Sequence, residues 1–406
     1  MKFVFKKYES NLEKGEVFFY FSFKGEKNIN FTEKLSFPPV KNPEIPQEVI
    51  KKILDGLLLV LGTSYWKLYC PKDIVLESMV LTKEQANFWN TVYTKGMGEF
   101  YYQNKLDFRG LVNFPFDPKA ISSPVNFPRK NRSLVGVGGG KDSIVSAELL
   151  RKSNDKFDLV TSGFPIQIEI AKMIGGRVIN TFRQIDPKLL ELNKEKGVYN
   201  GHIPISAYYA FLLLLIAALF DYKHIIVGNE KSANYGNVEY LGKMINHQWS
   251  KSKEFEKLFN EYVEKFITPD ITYSSPLRNM TELQVVGKFV KYPKYFKVFS
   301  SCNKNYKISS ALQQAQGLWC GECPKCLFVF ISLAAFLSKK EVLAIFNKNI
   351  FEDEKLIPLF EELIGIKNFK PFECVGTQDE VKEALRKILK KGEFKETILM
   401  KYFKTL

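Results

Sequence analysis

The chain has 406 residues, of which 45% are hydrophobic and 25% are charged. This length and composition are typical of a soluble globular protein with about two or three domains. The N-terminus lacks the charged, apolar and small-residue pattern of a signal peptide. The longest apolar run covers residues 208–220, which is too short to span a bilayer. We therefore expect a cytoplasmic protein with no membrane insertion.

The formal net charge is +15 at pH 7, from 59 basic and 44 acidic residues. Such an excess is compatible with a nucleic-acid partner, with a polyanionic small substrate, or with a lysine-rich genome. The basic residues are mostly lysines scattered along the whole chain rather than gathered in one stripe. The charge therefore favours a small anionic ligand over nucleic acid.

The first 35 or so residues alternate between apolar and polar side chains, which predicts β-strands at residues 2–8, 16–24 and 28–37. Helical patterns follow at about residues 46–61 and 82–95. A connection rich in proline and asparagine at residues 114–132 marks a domain boundary. We expect an N-terminal α+β domain over residues 1–125.

From Ser133 the pattern changes to alternating strands and helices, which is typical of an open parallel α/β sheet. We expect a second domain over residues 126–345 and a helical C-terminal region over residues 346–406. The predicted strands are residues 133–137, 157–162, 177–181, 224–228 and 295–300. The main predicted helices are residues 143–152, 205–220 and 253–266.

A glycine-rich segment, residues 136–143, joins the first strand of this domain to its first helix. Backbone N–H groups in such a loop and the helix dipole together bind anions. A Walker A loop is excluded, because Val135 stands where glycine is required and Asp142 where serine or threonine is required. A dinucleotide-binding fingerprint is excluded because Lys141 stands where glycine is required. A glycine-rich turn that binds nothing is the alternative.

The same segment resembles the pyrophosphate loop (PP-loop) of the N-type ATP pyrophosphatases, written Ser-Gly-Gly-x-Asp-Ser, with glycine in place of the first serine. The resemblance implies the adenine nucleotide α-hydrolase-like fold and cleavage of ATP between its α- and β-phosphates, with transfer of AMP. It also implies which residues bind ATP: Gly138, Gly139, Gly140, Lys141, Asp142 and Ser143.

Four of the six cysteines form one constellation, because two consecutive C-x-x-C steps follow a more distant thiol. In a cytosolic chain this spacing favours metal over disulfides, and four thiolates make a closed tetrahedral site. We expect structural Zn²⁺, with an iron–sulfur cluster as the alternative. The predicted ligands are Cys302, Cys320, Cys323 and Cys326. Cys70 and Cys374 stand alone and are interpreted as core or incidental thiols.

Three polar loops contain further candidates. His202 and His247 are two of only three histidines, and histidine is the usual proton carrier near neutral pH. Glu230 lies in a polar loop after a predicted strand, where it could hold Mg²⁺ or act as a base. Ordinary helix caps would explain the loops of both histidines equally well. The segment 373–377 suggests no chemistry.

Taken in order, the motifs GGGKDS, NGHIP, GNEKSANYGN, NHQWSKS, WCGECPKC and FECVGT resemble one family over about residues 130–380. This family is the ATP-dependent UDP-N-acetylmuramoyl-L-alanyl-L-glutamate epimerases of bacterial cell-wall synthesis. The resemblance implies inversion of a terminal L-glutamyl residue, with ATP consumed, AMP and pyrophosphate released, and Mg²⁺ as the metal cofactor. The expected partners are ATP and a UDP-sugar peptide. The catalytic candidates are His202, Glu230 and His247.

Adenylation would make this inversion feasible, because removing the α-proton of a carboxylate creates a dianion whereas removing it from an acyl-adenylate does not. Two other enzyme classes share the loop. One modifies a nucleobase, as 7-cyano-7-deazaguanine synthase does, but such chains are shorter. The other thiolates tRNA or ligates lysine to it, but no RNA-binding module is visible. A zinc-stabilised nucleotide-binding protein without activity is disfavoured by the intact Lys-Asp-Ser sequence.

Overall fold

A computed structural model describes residues 1–26, 28–41, 44–306, 317–367 and 369–406. Over these residues the protein is a mixed α/β structure with two five-stranded sheets and one two-stranded ribbon. The expected α/β class with a parallel sheet and a helical C-terminal region is confirmed. In the described part of the chain, no helix combines the length and apolar character needed to cross a membrane.

The N-terminal region contains the predicted strands and helices. Its strands are β1 (Lys2–Asn11), β2 (Glu16–Lys24), β3 (Ile29–Ser36) and β4 (Asp73–Leu76). Its helices are α1 (Gln47–Leu61), α2 (Thr63–Trp66), α3 (Lys83–Lys95) and α4 (Gly98–Gln103). Strands β1 to β3 form an antiparallel meander, and β4 pairs in parallel with β1. Alternate phenylalanines of β1 and β2 are fully buried because one face of this sheet packs against α1.

The following region contains the second sheet. Its strands are β5 (Ser133–Gly136), β6 (Phe157–Thr161), β7 (Val178–Asn180), β8 (Phe182–Gln184), β9 (His224–Ile226), β10 (Val238–Tyr240), β11 (Lys243–Ile245) and β12 (Thr272–Ser274). Its helices are α5 (Lys141–Lys152), α6 (Pro165–Ile174), α7 (Pro187–Leu192), α8 (Ile205–Phe220), α9 (Lys253–Phe266) and α10 (Glu282–Phe289). The parallel order is β12-β9-β5-β6-β7, and β10 pairs with β11 as the ribbon. Four of the five predicted strands and the three main predicted helices are confirmed.

The two sheets are joined closely. Strand β8 leaves the second region and pairs antiparallel with β3, so it completes the first sheet. Helices α1 and α8 pack together, and a Cβ atom at Gly56 would lie 2.4 Å from the ring of Phe211. Glycine at this position therefore lets the two helices approach each other. One hydrophobic cluster runs through both regions.

The strand predicted at residues 295–300 is wrong. A single 3₁₀ turn, Pro293–Tyr295, is followed by irregular backbone, and the fifth parallel strand is β12, which pairs with β9. Tyr295, Phe296, Val298, Phe299 and Ser300 are all buried, so burial does not alternate along this run as it would in a strand with one exposed face. The apolar run that suggested a strand therefore packs as a turn. Strand β12 has three residues and gives too short a pattern to predict.

The C-terminal region is helical, as expected. Its helices are α11 (Pro324–Ala334), α12 (Lys339–Phe346), α13 (Ile357–Ile364), α14 (Gln378–Lys391) and α15 (Ile398–Lys404). They share a second hydrophobic cluster with α5, α6 and α10, which pack on the parallel sheet. Residues 370–374, before α14, reach the loops of the second region, because Asn237 donates to the Lys370 and Pro371 carbonyls and Lys251 donates to the Cys374 sulfur.

Candidate active site

The glycine loop lies between β5, which ends at Gly136, and α5, which begins at Lys141. Gly139 has φ +88°, and a Cβ atom there would lie 2.1 Å from the hydroxyl oxygen of Tyr306. The Ser143 hydroxyl accepts a hydrogen bond from the Gly138 N–H at 3.3 Å and donates one to the Gly140 carbonyl at 3.1 Å. The loop is therefore tightly closed in front of a helix N-terminus, a geometry that suits phosphate.

Lys141 is buried and does not project into solvent. Its ammonium group lies 2.7 Å from Asp142 Oδ1 and 2.6 Å from Glu282 Oε2. Burial raises the pKa of Glu282 to about 8; the positive charge of Lys141 opposes this shift, and the negative charges of Asp142 and Glu230 add to it. Sequence analysis missed Glu282, because it stands at the start of α10, about 140 residues from the loop, in an ordinary helix-capping sequence.

Glu230 belongs to the same carboxylate group. Its Oε2 accepts hydrogen bonds from the Ser232 hydroxyl at 2.8 Å and from the Ala233 N–H at 3.1 Å. Burial and the charge of Asp142 raise its pKa. A Cβ atom at Gly228 would lie 2.8 Å from the carbonyl carbon of Asp142, so glycine there lets the loop after β9 reach α5. Asp142, Glu230 and Glu282 thus form one electrostatically coupled group beside the loop, in which the Lys141 ammonium pairs with Asp142 and Glu282.

The two candidate histidines lie together at a second cluster. Nδ1 of His247 contacts Oε2 of Glu99, and Nδ1 of His202 lies 3.4 Å from the same oxygen. The two imidazole rings are 4.5 Å apart between centroids. Glu99 belongs to α4, in the N-terminal region, and sequence analysis did not identify it. Glu230 lies with the loop carboxylates rather than beside the histidines.

The two histidines differ in charge near neutral pH. Burial and the neighbouring charge of His247 hold the pKa of His202 well below its usual value. Burial acts against the positive charge of His247 too, but hydrogen bonds to Cys374 and Glu99 outweigh it and raise its pKa to about 9. Nε2 of His202 is buried with no hydrogen-bond partner among the described residues. One ring can accept a proton while the other can donate one.

Distant parts of the chain hold the backbone near each histidine. The side-chain oxygen of Asn237 accepts a hydrogen bond from the His247 N–H at 2.9 Å, and its amide nitrogen donates to the Pro371 carbonyl at 2.8 Å. The buried Lys67 ammonium donates to the side chain of Asn200 at 2.9 Å, two residues before His202. These contacts explain the polar motifs that sequence analysis found in these loops.

Cys374 is not an isolated thiol, contrary to the sequence-based interpretation. The Lys251 ammonium donates to its sulfur at 3.3 Å, and the imidazole of His247 hydrogen-bonds to it. Burial opposes ionisation of this thiol, but the positive charges of Lys251, Lys325 and His247 outweigh burial and hold its pKa well below the usual value. The segment 373–377 therefore has a place in the site, which its composition did not indicate.

The four predicted metal ligands converge in the structure. Their sulfur atoms all lie within 4.8 Å of one another, with Cys320 and Cys326 at 3.7 Å and Cys323 and Cys326 at 3.5 Å. A tetrahedral ion with metal–sulfur bonds of about 2.3 Å requires separations of roughly 3.8 Å. The thiol set therefore fits Zn²⁺. Cys302 is two residues from Ser300, whose N–H donates to the Gly139 carbonyl at 3.0 Å, so the cluster braces the glycine loop.

A phosphate-type loop at the carboxyl edge of a parallel sheet, buried carboxylates beside it, and a pair of imidazoles of which one is charged and one neutral define an α/β protein with an enzyme-like centre. Residues 1–276 match the family model described as the MurL N-terminal domain, and residues 298–405 match that of the MurL C-terminal domain. The chain therefore belongs to the MurL family, which confirms the resemblance noted in the sequence.

Relatives named UDP-N-acetyl-alpha-D-muramoyl-L-alanyl-L-glutamate epimerase match most of the chain. The protein from Xanthomonas oryzae pv. oryzae is 36% identical over 87% of this chain and 78% of its own length. The protein from Micromonospora sp. is 33% identical over 97% of this chain and 88% of its own. The protein from Salinispora tropica is 34% identical over 94% of this chain and 84% of its own length. The similarity thus extends through the N-terminal region that contains Glu99.

Proposed function

We propose that this protein is an epimerase that converts the terminal L-glutamyl residue of UDP-MurNAc-L-Ala-L-Glu to D-glutamyl during peptidoglycan precursor synthesis. The names of the relatives support the substrate. The observation that carries the proposal is the histidine pair, because His202 and His247 share Glu99 yet are held in opposite protonation states. Inverting a carbon centre needs one proton acceptor and one proton donor at the same moment.

The same proposal assigns the glycine loop to ATP, as part of a PP-loop ATP pyrophosphatase fold. Gly138, Gly139, Gly140 and Ser143 would bind the pyrophosphate at the N-terminus of α5, with Lys141 and Asp142 beside it. AMP would pass to a carboxylate of the glutamyl residue, and pyrophosphate would leave. The acyl-adenylate carries no charge at the former carboxylate, so the α-proton can be removed by a base of ordinary strength.

We propose that Mg²⁺ binds beside the loop with ATP, with Asp142, Glu230 and Glu282 as its candidate ligands. When bound, the ion would neutralise the charge of the leaving pyrophosphate. The sequence suggested that Glu230 either holds Mg²⁺ or acts as a base, and this assignment gives it the metal-binding role. Burial and mutual repulsion raise the pKa values of Glu230 and Glu282, which indicates that the site needs positive charge.

Proton transfer is assigned to the histidines. His202, kept neutral by burial, would accept the α-proton through the unpartnered Nε2. His247, kept charged, would donate a proton to the opposite face of the α-carbon. Glu99 contacts both rings and would orient them. Solvent exchange would restore both rings after each turnover.

We propose a structural Zn²⁺ for the four cysteines, since their sulfur separations suit a closed tetrahedral site, and keep the iron–sulfur cluster as the alternative. We also propose three domains, residues 1–125, 126–345 and 346–406. Each would contribute to the centre: Glu99 from the first, the loop and the histidines from the second, and Cys374 from the third. The cytoplasm, where ATP and sugar nucleotides occur, is the proposed location.

The test combines purified protein, ATP, Mg²⁺ and UDP-MurNAc-L-Ala-L-Glu, with AMP measured alongside chiral analysis of the glutamate. We expect AMP and D-glutamate to appear together with wild-type protein, and no D-glutamate with His202→Gln or His247→Gln. AMP formed with tRNA or with a nucleobase substrate, but not with the sugar nucleotide, would support the nucleobase- or tRNA-modifying alternative instead.

A further inference from the structure

Cys374 is the reactive group in the site that the proposed function leaves unused. The residue is partly exposed, whereas Cys70 is buried in the N-terminal core. Burial raises the pKa of the Cys70 thiol to about 12. At Cys374 the positive charges of the neighbouring side chains outweigh burial and lower the pKa of the thiol. Partial exposure among positive charges is the environment in which cysteines become nucleophiles.

The partners of Cys374 have the arrangement of a catalytic triad. His247 lies close enough to the thiol for each group to shift the pKa of the other, and the same imidazole contacts Glu99 through Nδ1. A nucleophile, a base within hydrogen-bond reach and an acid that orients the base are the parts that triads of unrelated folds share. Lys251, whose ammonium lies 3.3 Å from the sulfur, adds a second positive charge beside the thiol.

The thiol also lies next to the region assigned to ATP. Lys251 is close enough to Cys374, Asp142 and Glu230 that all three raise its pKa. It therefore connects the sulfur to the carboxylates of the glycine loop. The backbone before Cys374 is fixed as well, because Asn303 donates to Glu373 and Asn237 donates to the Pro371 carbonyl. An acyl group activated at the loop would meet this sulfur next.

We propose that Cys374 is a catalytic nucleophile that takes the activated glutamyl group from AMP as a thioester; this inference rests on the proposed function. The thiolate attacks the carbonyl carbon of the acyl-adenylate, a C–S bond forms, and AMP leaves with the electron pair of the broken C–O bond. After inversion, water attacks the same carbon. The C–S bond then breaks, which releases the carboxylate, the thiolate and two protons.

The thioester would explain why the sulfur and the histidine pair occupy one site. Its carbonyl is uncharged and stabilises an adjacent carbanion, so the α-proton stays removable after AMP has gone. The covalent bond also keeps the α-carbon beside His202 and His247. Acylation converts the thiolate into a neutral group, so His247 loses the anion that retains its proton and becomes a better donor.

The experiment traps the intermediate on the intact protein. Wild-type protein is mixed with ATP, Mg²⁺ and UDP-MurNAc-L-Ala-L-Glu, quenched in acid, desalted under denaturing conditions and weighed by mass spectrometry. We expect a mass increase equal to the substrate minus one water, mapped to Cys374 by peptide analysis. Hydroxylamine added after desalting should remove it as a hydroxamate, and a non-covalent adenylate would already have been lost.

Two variants complete the test. Cys374→Ala should lose the adduct and slow D-glutamate formation on the order of 10³-fold. The variant should still release pyrophosphate in a first turnover, which would show that the protein is folded. Cys70→Ser, the matched thiol control, should keep both adduct and rate. Turnover by wild-type protein without an adduct, an adduct on another residue, or an active Cys374→Ala would overturn the thioester and leave the epimerase intact. No AMP release by wild-type protein would instead reject the proposed function and the thioester with it.

Discussion

Replacing Glu99 with glutamine removes the charge that both histidines contact and keeps the size of the side chain. The pKa of His247 is raised from 6.5 to about 9. That difference of about 2.5 pH units corresponds to about 3 kcal/mol in favour of the imidazolium, at about 1.4 kcal/mol per unit. Glu99 and Cys374 together raise the pKa of His247, although burial opposes the increase. Glu99→Gln should therefore lower the pKa of His247 by about 1 unit or more.

The same shift links stability to pH. A histidine whose pKa is higher in the folded state stabilises the protein fully below its unfolded pKa, and this stability is lost as the pH rises through the folded pKa. For His247 alone this loss runs from about pH 6.5 to about pH 9. The lowered pKa of Cys374 acts with the opposite sign, because the folded thiolate has already released a proton that the unfolded thiol still holds, so the pair changes stability less than His247 alone would. In Glu99→Gln the loss should be smaller and should end at a lower pH. Urea unfolding at several pH values measures the difference.

Direct titration is feasible because the chain has only three histidines. ¹⁵N-edited NMR of the imidazoles, assigned with His202→Gln and His224→Gln variants, should show His247 still charged at about pH 8 and His202 already neutral at about pH 6. His224 contacts Asn131 and Thr272 at the opposite edge of the sheet and serves as the internal control. A wild-type His247 that titrates near 6.5, or a Glu99→Gln variant with an unchanged value, would refute this account of the pair.

Three further changes test the rest of the site. Asp142→Ala and Ser143→Ala should abolish AMP formation while circular dichroism stays unchanged; normal turnover would contradict the loop assignment. Cys323→Ser should lose the metal and about 2 kcal/mol or more of stability, and full zinc occupancy in that variant would contradict the metal site. Gly139→Ala should weaken ATP binding by about tenfold or more, because φ is +88° and the new methyl group meets the Tyr306 hydroxyl. Adding Tyr306→Ala should remove the clash with the hydroxyl but not the backbone strain at residue 139. Unchanged ATP binding in Gly139→Ala alone would contradict this account of the loop.

The glycine loop and the cysteine cluster could be predicted because each lies in a short stretch of chain. A loop before a helix and two C-x-x-C steps carry their geometry in their spacing, and long helices such as α5, α8 and α9 carry theirs in periodicity. The strand predicted at residues 295–300 failed because an apolar run of that length has no unique period. Burial of Tyr295 and Phe299 came from packing with distant helices.

The remaining site residues could not be predicted because tertiary structure alone assembles them. Glu282 is an ordinary first-turn acid of α10, and only the fold brings it 2.6 Å from Lys141. Cys374 stands outside the cysteine motif, and its charge depends on Lys251 and His247, more than 100 residues earlier. A sequence pattern identifies residue types, whereas a pKa depends on which charges surround the folded group.

The position of Glu99 shows why the N-terminal region belongs to the chemistry and not only to the architecture. Helix α4 supplies the one carboxylate that contacts both histidines, while α1 packs on α8, the helix that begins three residues after His202. Strand β8 in turn completes the N-terminal sheet. Separating the two regions would therefore expose the apolar face between α1 and α8 and remove the charge that sets the histidine pair. One charged and one neutral imidazole in the same site therefore require both regions together.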